Sequence, residues 1–320
     1  DFYNNNQYIN LKTMKKIRRP SRRRLVFCCV LVTVFLIIIL HPFMNGTRTY
    51  EHIERTSIYQ NLFVATASNY MNNASIDCDY DVLYNDATMA ISVIDEDETR
   101  GNKVKEGGEF SPDCKPKFSS AIIVPYRDRP EQLRDFIVYM HTYLQHQNIH
   151  YRIYIVEQLD SNPFNRAKLL NIGAKVAMEA GYPCLILHDV DLLPLKLANL
   201  YACTKQPRHM SSIINTFRFV LPYVNLFGGA ISIVSQQFKD INGMSNKFFG
   251  WGGEDDDLYS RLESHGLNIC RFDPDITIYH MQNHAKATKN GMETDGLNTL
   301  TYTHIGTQLH ARFTHIMVDL

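Results

Sequence analysis

The chain of 320 residues carries 33 basic and 33 acidic side chains, so its formal net charge is zero. Eight of the basic side chains lie within the first 24 residues, and the chain beyond residue 40 therefore holds 25 basic against 32 acidic ones. A mildly acidic body of this kind argues against nucleic-acid binding, and the length allows one sizeable domain with a short appendage.

The N-terminal region combines a basic tail, residues 1–24, with an apolar run that carries no charge and extends weakly to residue 44. Met14 is a candidate start of the native chain, and we assign residues 1–13 no structure. The run is close to the lower limit of about 17–25 residues for a membrane-spanning helix, and short spans suit the thinner membranes of the early secretory pathway. The basic tail predicts a cytoplasmic N-terminus and a lumenal body. A cleaved signal peptide is the alternative, but no small-residue cleavage site follows, so the pattern favours a signal anchor at residues 25–44.

The segment 45–116 is polar with little periodicity, and we interpret it as a lumenal stem and lead-in. Two sequons for N-glycosylation lie in it, at Asn45 and Asn73. Disulfides can persist in the lumen, and the odd number of cysteines beyond the apolar run leaves at least one thiol unpaired. These cysteines are Cys78, Cys114, Cys184, Cys203 and Cys270.

From residue 117 to 320 the pattern is that of a folded domain in which strands and helices alternate. Buried strands are predicted at Ala121–Pro125, Tyr151–Val156 and Cys184–Leu187, and helices from Pro130 and over Ala167–Ala180. This order predicts an α/β fold with a mixed, mostly parallel sheet and helices on both faces. Ligands bind such sheets at the carboxyl ends of the strands, which is where the segments 126–129 and 189–191 are expected.

The triplet Asp189-Val190-Asp191 follows the third strand and places two carboxylates two residues apart. Hard oxygen ligands suit Mg²⁺ or Mn²⁺, which can bridge two phosphates. A solvated loop is the alternative, and the apolar strand before the triplet favours the metal. Met281 and His284 lie three residues apart, but because a thioether is a poor ligand for a hard metal, these two residues alone indicate a structural role.

A glycine-rich segment, Phe249–Asp257, surrounds the only tryptophan of the chain, Trp251, and ends in four consecutive acids. Acids in the first turn of a helix are stabilised by its dipole, which is a sufficient structural explanation for them. That explanation does not cover a tryptophan between glycines, a pattern typical of a hinged lid. A carboxylate beside such a lid could deprotonate a hydroxyl.

Taken together and in order, eight segments over roughly Lys117 to Leu320 resemble the β1,4-galactosyltransferase family. They are Val124–Arg129, Phe164–Asn171, Asp189–Leu192, Gln206–His209, Leu221–Val224, Phe227–Gly229, Gly250–Asp257 and Asp295–Asn298. The resemblance implies a GT-A fold and an inverting, Mn²⁺-dependent transfer from a UDP-sugar to a terminal GlcNAc hydroxyl. With the predicted anchor, it implies a single-pass type II protein of the Golgi membrane with a lumenal catalytic domain.

The resemblance also implies roles for individual residues. Asp255 would be the general base, Glu254 and Asp256 would hold the donor and acceptor sugars, and Tyr223 would be an acceptor platform. The implied Mn²⁺ ligands are Asp191, Met281 and His284, which reverses the structural interpretation of the last two. The implied UDP site comprises Pro125, Tyr126, Arg127, Arg129, Phe164, Arg166, Asp189, Val190, Gly229 and the lid residue Trp251. The implied disulfides are Cys184–Cys203 and Cys78–Cys114, which leaves Cys270 unpaired.

The chain departs from the family pattern at two places. Leu226 stands where galactose-specific members similar to the vertebrate enzymes have tyrosine, beside the C2 substituent of the donor. A shorter side chain makes room for an N-acetyl group and removes a hydroxyl partner, which favours UDP-GalNAc over UDP-Gal. The segment 285–294 is much shorter than the acceptor-binding loop of the family. The leading expectation is transfer of GalNAc from UDP-GalNAc in β1,4 linkage to terminal GlcNAc on glycolipids or glycoproteins. The alternatives are a galactosyltransferase and, because of the short loop, a catalytically weak member that binds a sugar or a partner. A homodimer or an accessory subunit stays open.

Overall fold

The computed structural model describes residues 22–40, 46–47, 49–71, 74–81, 103–250, 252–282 and 295–320. The chain divides into two compact units, residues 1–45 and residues 46–320. In the first unit, helix α1 spans Arg22–Leu40. Within the described ranges, none of the helices combines the length and apolar character needed to cross a membrane. The predicted anchor at residues 25–44 is described only as far as residue 40 and remains a prediction.

The second unit is an α/β domain, and the elements predicted between residues 121 and 188 are confirmed in it. Its described helices are α2 (Ile58–Asn61), α3 (Pro130–Gln145), α4 (Arg166–Glu179), α5 (Ser235–Asp240) and α6 (Glu254–Ser264). Its described strands are β1 (Val104–Lys105), β2 (Glu109–Phe110), β3 (Ser119–Tyr126), β4 (His150–Gln158), β5 (Cys184–His188), β6 (Leu192–Pro194), β7 (Arg208–His209), β8 (Ile213–Ile214), β9 (Ala230–Val234), β10 (Ile278–Met281), β11 (Thr303–Leu309) and β12 (Thr314–Asp319).

The main sheet is mixed, and its parallel part is restricted to its centre. Strand β4 pairs in parallel with β3 and β12, and β3 pairs in parallel with β5. Antiparallel strands flank this centre, with β9 on β5, β7 on β9, β11 on β12 and the β1–β2 hairpin on β4. The expectation of a mostly parallel sheet therefore applies only to the centre, where buried apolar runs joined by helical crossovers favour parallel pairing.

Helices cover both faces of this centre, as predicted. Successive side chains of a strand point to opposite faces, so an apolar strand needs a covering layer on each side. Ile122 and Val124 of β3 lie in the same core as α3, whereas Ala121 and Ile123 lie in the opposite core with α4. The fit of α4 on the sheet is close at Gly173, where a Cβ would lie 2.4 Å from the Ile123 side chain. A larger residue at this point would push the helix off the sheet.

A second, three-stranded sheet follows the end of β5. Strand β10 pairs antiparallel with β6, with Met281 opposite Leu192, and in parallel with β8. The backbone N–H of Gln282 extends this contact by donating to the Asp191 carbonyl at 2.8 Å. The small sheet thus brings residue 281 beside residue 191, although 90 residues of chain separate them.

The structure differs from the loosely ordered lead-in expected before residue 117. Residues 46–47 and 49–71, which we call the N-terminal arm, and residues 74–81 form isolated bridges to the domain. These bridges are Thr47–Leu221, Ile53–Phe272, Leu62–Thr204, Ala65–Phe118 and Asp77–Lys115. Ile58 and Leu62 of the arm are buried in the core. Widely spaced apolar side chains fix this segment against the domain, so the compact unit begins at residue 46.

Candidate active site

Three loops at the carboxyl ends of parallel strands meet around residues 126–129, 162–166 and 189–191. The Arg129 guanidinium donates to the Asp191 carboxylate at 3.1 Å, and its backbone N–H donates to the Tyr126 hydroxyl at 3.3 Å. The Arg127 side chain lies 5.3 Å from the centre of the Phe164 ring. Pro125 is the penultimate residue of β3, directly before Tyr126. Two arginines and two aromatic rings therefore line the edge predicted for UDP.

Arg166, the first residue of α4, connects three parts of this site. Its guanidinium donates to Asp189 at 2.6 Å and to the Gly229 carbonyl at 3.2 Å, and lies 3.7 Å from the Glu254 carboxylate. Burial alone would lower the pKa of Arg166, but the Asp189 and Glu254 charges outweigh it and raise the pKa above its ordinary value. The fixed cation holds the end of β5 and the start of α6 together.

The Phe227-Gly228-Gly229 turn lies directly against the acidic helix α6. A Cβ at Gly228 would lie 2.8 Å from an Asp255 carboxylate oxygen, and one at Gly229 would lie 2.6 Å from the Ser211 hydroxyl. Gly229 also has a φ of 72°, which disfavours other residues. Sequence reasoning assigned a role to Gly229 but missed Gly228, although the matched motif contains both.

The four acids at the start of α6 have four different surroundings. Glu254 lies beside Arg166, Asp255 lies against Gly228, Asp256 accepts from the Tyr223 hydroxyl at 2.9 Å, and Asp257 accepts from Arg261 at 2.7 Å. Burial raises the pKa of Glu254 against the Arg166 charge. Burial and the Asp256 charge raise the pKa of Asp255. The helix dipole favours all four charges, but only Asp257 is confined to an ion pair within the helix.

The raised pKa of Asp255 predicts the pH dependence of a reaction in which its carboxylate is the base. A base acts only when ionised, so kcat/KM should fall on acidification at a higher pH than an ordinary aspartate would give. In the Asp256→Asn variant, loss of the neighbouring charge should move this acid limb to lower pH. Profiles of kcat/KM from pH 4 to 8, with thermal unfolding measured at each pH, test this. A limb that stays in place in the variant would contradict it.

Of the three predicted metal ligands, the structure describes Asp191 and Met281 and brings these two together. The Asp191 residue is 3% exposed and lies beside Met281 through the β6–β10 pairing. The Met281 sulfur accepts from the Thr216 hydroxyl at 3.3 Å. In the described parts of the chain there is no group of three or more His, Cys, Asp or Glu side chains placed for a metal. His284 lies outside the described residues, two positions beyond Gln282. The buried Asp191 carboxylate suits Mn²⁺, whereas Met281 and His284 as further ligands remain a prediction from the resemblance.

The loop 221–226 lies on the other side of the acids. Tyr223, the predicted acceptor platform, is 44% exposed, and its hydroxyl donates to the Asp256 carboxylate. Leu226 donates from its backbone N–H to the Tyr223 carbonyl at 3.2 Å and is half-buried two residues before Gly228. Leu226 therefore directly precedes the Phe227-Gly228-Gly229 turn, whose Gly228 lies against the Asp255 carboxylate.

Several predicted features fall outside the described residues: Trp251, the sequon residues Asn45 and Asn73, and the segment 285–294. Gly250, beside Trp251, donates to the Phe164 carbonyl at 2.7 Å, which joins the glycine-rich loop to the UDP edge. Val190, between the two aspartates, is buried. The cysteines pair as the resemblance implies, Cys78 with Cys114 and Cys184 with Cys203, and Cys270 is a free thiol.

The mixed sheet, with arginines and carboxylates at its parallel strand ends, agrees with the GT-A-type glycosyltransferase domain that the resemblance implies. Comparisons with known proteins identify the family of this domain. Residues 78–204 match the N-terminal region of glycosyl transferase group 7, and residues 208–285 match the N-terminal domain of galactosyltransferase. β1,4-Galactosyltransferase 6 of Rattus norvegicus is 33% identical over 282 residues, covering 81% of this chain and 72% of that one. The chain belongs to the β1,4-galactosyltransferase family of glycosyltransferases.

Other relatives agree with this assignment. β1,4-Galactosyltransferase 1 of Bos taurus is 41% identical over 240 residues, covering 70% of this chain but only 60% of the relative, less than two thirds of its length. The crystal structure of the catalytic domain of Drosophila β1,4-galactosyltransferase 7 in complex with xylobiose has a TM-score of 0.57 at 29% identity and covers 63% of this chain and 94% of that one. A mutant of the Drosophila protein in complex with manganese, UDP-Gal and xylobiose gives the same TM-score at 28% identity.

Proposed function

We propose that this protein transfers galactose from UDP-Gal to a terminal GlcNAc in β1,4 linkage, with inversion and dependence on Mn²⁺. The observation that carries the proposal is the position of Asp255. Its carboxylate lies against Gly228, between the Arg166-linked acid Glu254 and the Tyr223-linked acid Asp256. The relatives named galactosyltransferases, and the Drosophila mutant in complex with manganese and UDP-Gal, support the same donor and ion.

The reaction follows from what these side chains can do. Asp255 accepts the proton of the acceptor hydroxyl as that oxygen attacks the anomeric carbon of the donor. A single displacement needs one base and no covalent nucleophile, so the anomeric configuration inverts. Mn²⁺ held by Asp191, Met281 and His284 would supply neutralisation of the charge on the departing UDP. Arg127 and Arg129 add fixed positive charge at the same edge.

Leu226 favours a second candidate donor, UDP-GalNAc. Leu226 is half-buried and directly precedes the Phe227-Gly228-Gly229 turn, whose Gly228 lies against Asp255, the base proposed to act at the transferred sugar. A leucine offers no hydroxyl to the donor and takes less room than the tyrosine of galactose-specific members. Both changes favour a bulkier substituent at C2 of the sugar.

One assay distinguishes the candidates. The full chain is supplied with Mn²⁺, a GlcNAc-terminated acceptor and either UDP-Gal or UDP-GalNAc, and transfer is followed by mass spectrometry. The proposal expects faster transfer from UDP-Gal and loss of transfer when the metal is chelated. Faster transfer from UDP-GalNAc would establish the second candidate. No transfer from either donor would favour the catalytically weak, binding alternative.

Replacing Leu226 by tyrosine tests the donor contact directly. Leu226→Tyr should raise the ratio of kcat/KM for UDP-Gal over UDP-GalNAc by roughly 10- to 100-fold, since the ring occupies the space of an N-acetyl group. Val224→Tyr is the matched control, because Val224 is 63% exposed on the same loop and the ratio should stay unchanged. An unchanged ratio in Leu226→Tyr would show that Leu226 does not contact the donor.

For localisation we propose a Golgi membrane protein with its anchor at residues 25–44 and its catalytic unit in the lumen. The support is the basic tail followed by the uncharged run and by the two sequons. Protease treatment of sealed microsomes should leave everything beyond residue 44 protected. Digestion of the catalytic unit in sealed vesicles would overturn this orientation.

A further inference from the structure

The N-terminal arm lies against the loop that carries Tyr223 and Leu226. Thr47 and Leu221 exchange two backbone hydrogen bonds, at 3.0 and 2.7 Å. The approach is close, because a Cβ at Gly46 would lie 2.8 Å from the Val220 side chain and 2.9 Å from the Leu221 carbonyl. The first described residues of the arm therefore hold the beginning of this loop.

Arg271 holds the other end of the same loop. Its guanidinium donates to the carbonyls of Val224 and Leu226 at 2.7 and 2.8 Å and to the His209 ring at 3.2 Å. Burial and the Arg271 charge keep the pKa of His209 well below its ordinary value, so the neutral ring can accept this hydrogen bond. Arg271 is only 5% exposed, and its planar fork places three acceptors at fixed positions.

The arm also contacts Arg271 directly. The Tyr50 ring lies 5.5 Å from the Arg271 guanidinium, and the Tyr50 hydroxyl lies 2.7 Å from the Thr277 hydroxyl. The Ile53 N–H donates to the Arg271 carbonyl at 2.8 Å. An aromatic ring over a desolvated cation stabilises its position. Tyr50, Arg271 and the loop 221–226 thus form a continuous chain of contacts that ends at Leu226.

We propose that Tyr50 and Arg271 are positioning residues for the loop 221–226, so that the arm, which sequence alone indicates to be stem, sets the geometry of donor and acceptor binding. The expected change in acceptor KM rests on the proposed function, whereas the expected change in the mobility of the loop does not. Tyr50 touches no reacting group and acts through Arg271, which fixes the backbone on which Tyr223 and Leu226 stand.

The test compares Tyr50→Ala with Tyr50→Phe and with the exposed control Glu51→Ala, all in the full chain. In Tyr50→Ala the acceptor KM should rise about 3- to 30-fold, because a cation–π contact and its support are lost. UDP–Mn²⁺ binding should stay unchanged. Tyr50→Phe keeps the ring, so its acceptor KM should stay close to the wild-type value. Hydrogen exchange should accelerate at the Leu221 and Leu226 amides but not in β5.

Each outcome decides the proposal, and the exchange measurement does so even if the chain transfers no sugar. Exchange confined to the loop together with a raised KM would support it. Wild-type exchange at Leu221 in Tyr50→Ala, or acceleration spread equally over β5, would overturn it. Arg271→Lys provides a second variant, since lysine keeps the charge but has a single nitrogen and cannot donate at once to the His209 ring and to the two carbonyls. Wild-type exchange at Leu226 in a folded Arg271→Lys protein would also contradict the proposal.

Discussion

The Asp255→Asn variant should lose about 10²- to 10⁴-fold in kcat while it binds UDP and Mn²⁺ as the wild type does. The amide is nearly the same size as the carboxylate, so the close contact with Gly228 is kept. What is lost is the ability to accept a proton from the acceptor hydroxyl. The measurement pairs single-turnover transfer with calorimetric titration of UDP in the presence of Mn²⁺.

Asp257→Asn is the matched control for this experiment. Asp257 lies in the same helical turn, but its carboxylate is bound to Arg261 at 2.7 Å, so its loss should affect stability and leave kcat within a few-fold. Equal losses in both variants would indicate that the fold of the turn is being damaged. Loss of nucleotide binding in Asp255→Asn would show that this carboxylate holds the donor and is not the base.

The parts of the fold that sequence predicts well are those set by local patterns. Apolar runs such as Cys184–Leu187 and the proline that opens α3 identify the central strands and helices without reference to the rest of the chain. The strands at the edges of the sheet are harder to predict from sequence, because strands of two residues such as β1 and β7 show no periodicity. Their pairing is decided by long-range contacts, which override local preference.

The candidate site divides in the same way. A strand followed by two aspartates indicates a ligand-binding edge, but the partnership of Asp191 with Met281 depends on the register of β6 and β10. Only the family resemblance supplied it at the level of sequence. The sequence gives no indication of the roles of Arg271 and Tyr50, since a buried arginine that donates to carbonyls cannot be told from an exposed one by sequence. The arm was missed because single apolar residues hold it.

Arg166 should be the most damaging position to neutralise. Arg166→Met removes the cation between Asp189 and Glu254 and leaves two carboxylates without compensation in a largely buried position. Breaking a buried ion pair from one side costs about 3–5 kcal/mol. We expect a loss of that order in the free energy of unfolding, together with loss of UDP–Mn²⁺ binding, because the end of β5 that carries Asp189 to Asp191 is no longer fixed.

The pH dependence of this loss has a defined sign. Burial already raises the pKa of Glu254 and the Arg166 charge opposes it, so the methionine variant should raise that pKa further. A carboxyl group whose pKa is higher in the folded state than in the unfolded state destabilises the folded protein at a pH where it is ionised. This loss of stability disappears at a pH where the group is protonated in both the folded and the unfolded state. The stability deficit of Arg166→Met should therefore shrink between pH 7 and pH 5.

Arg261→Met is the control, because the Arg261–Asp257 pair is similarly buried but lies within α6, away from the strand ends. It should lose stability while nucleotide binding persists. Chemical denaturation at both pH values, with nucleotide binding measured in parallel, separates the two effects. If Arg166→Met bound UDP–Mn²⁺ normally, the cation would serve only the fold. The proposed link from α4 through Asp189 to the predicted metal-binding end of β5 would then be wrong.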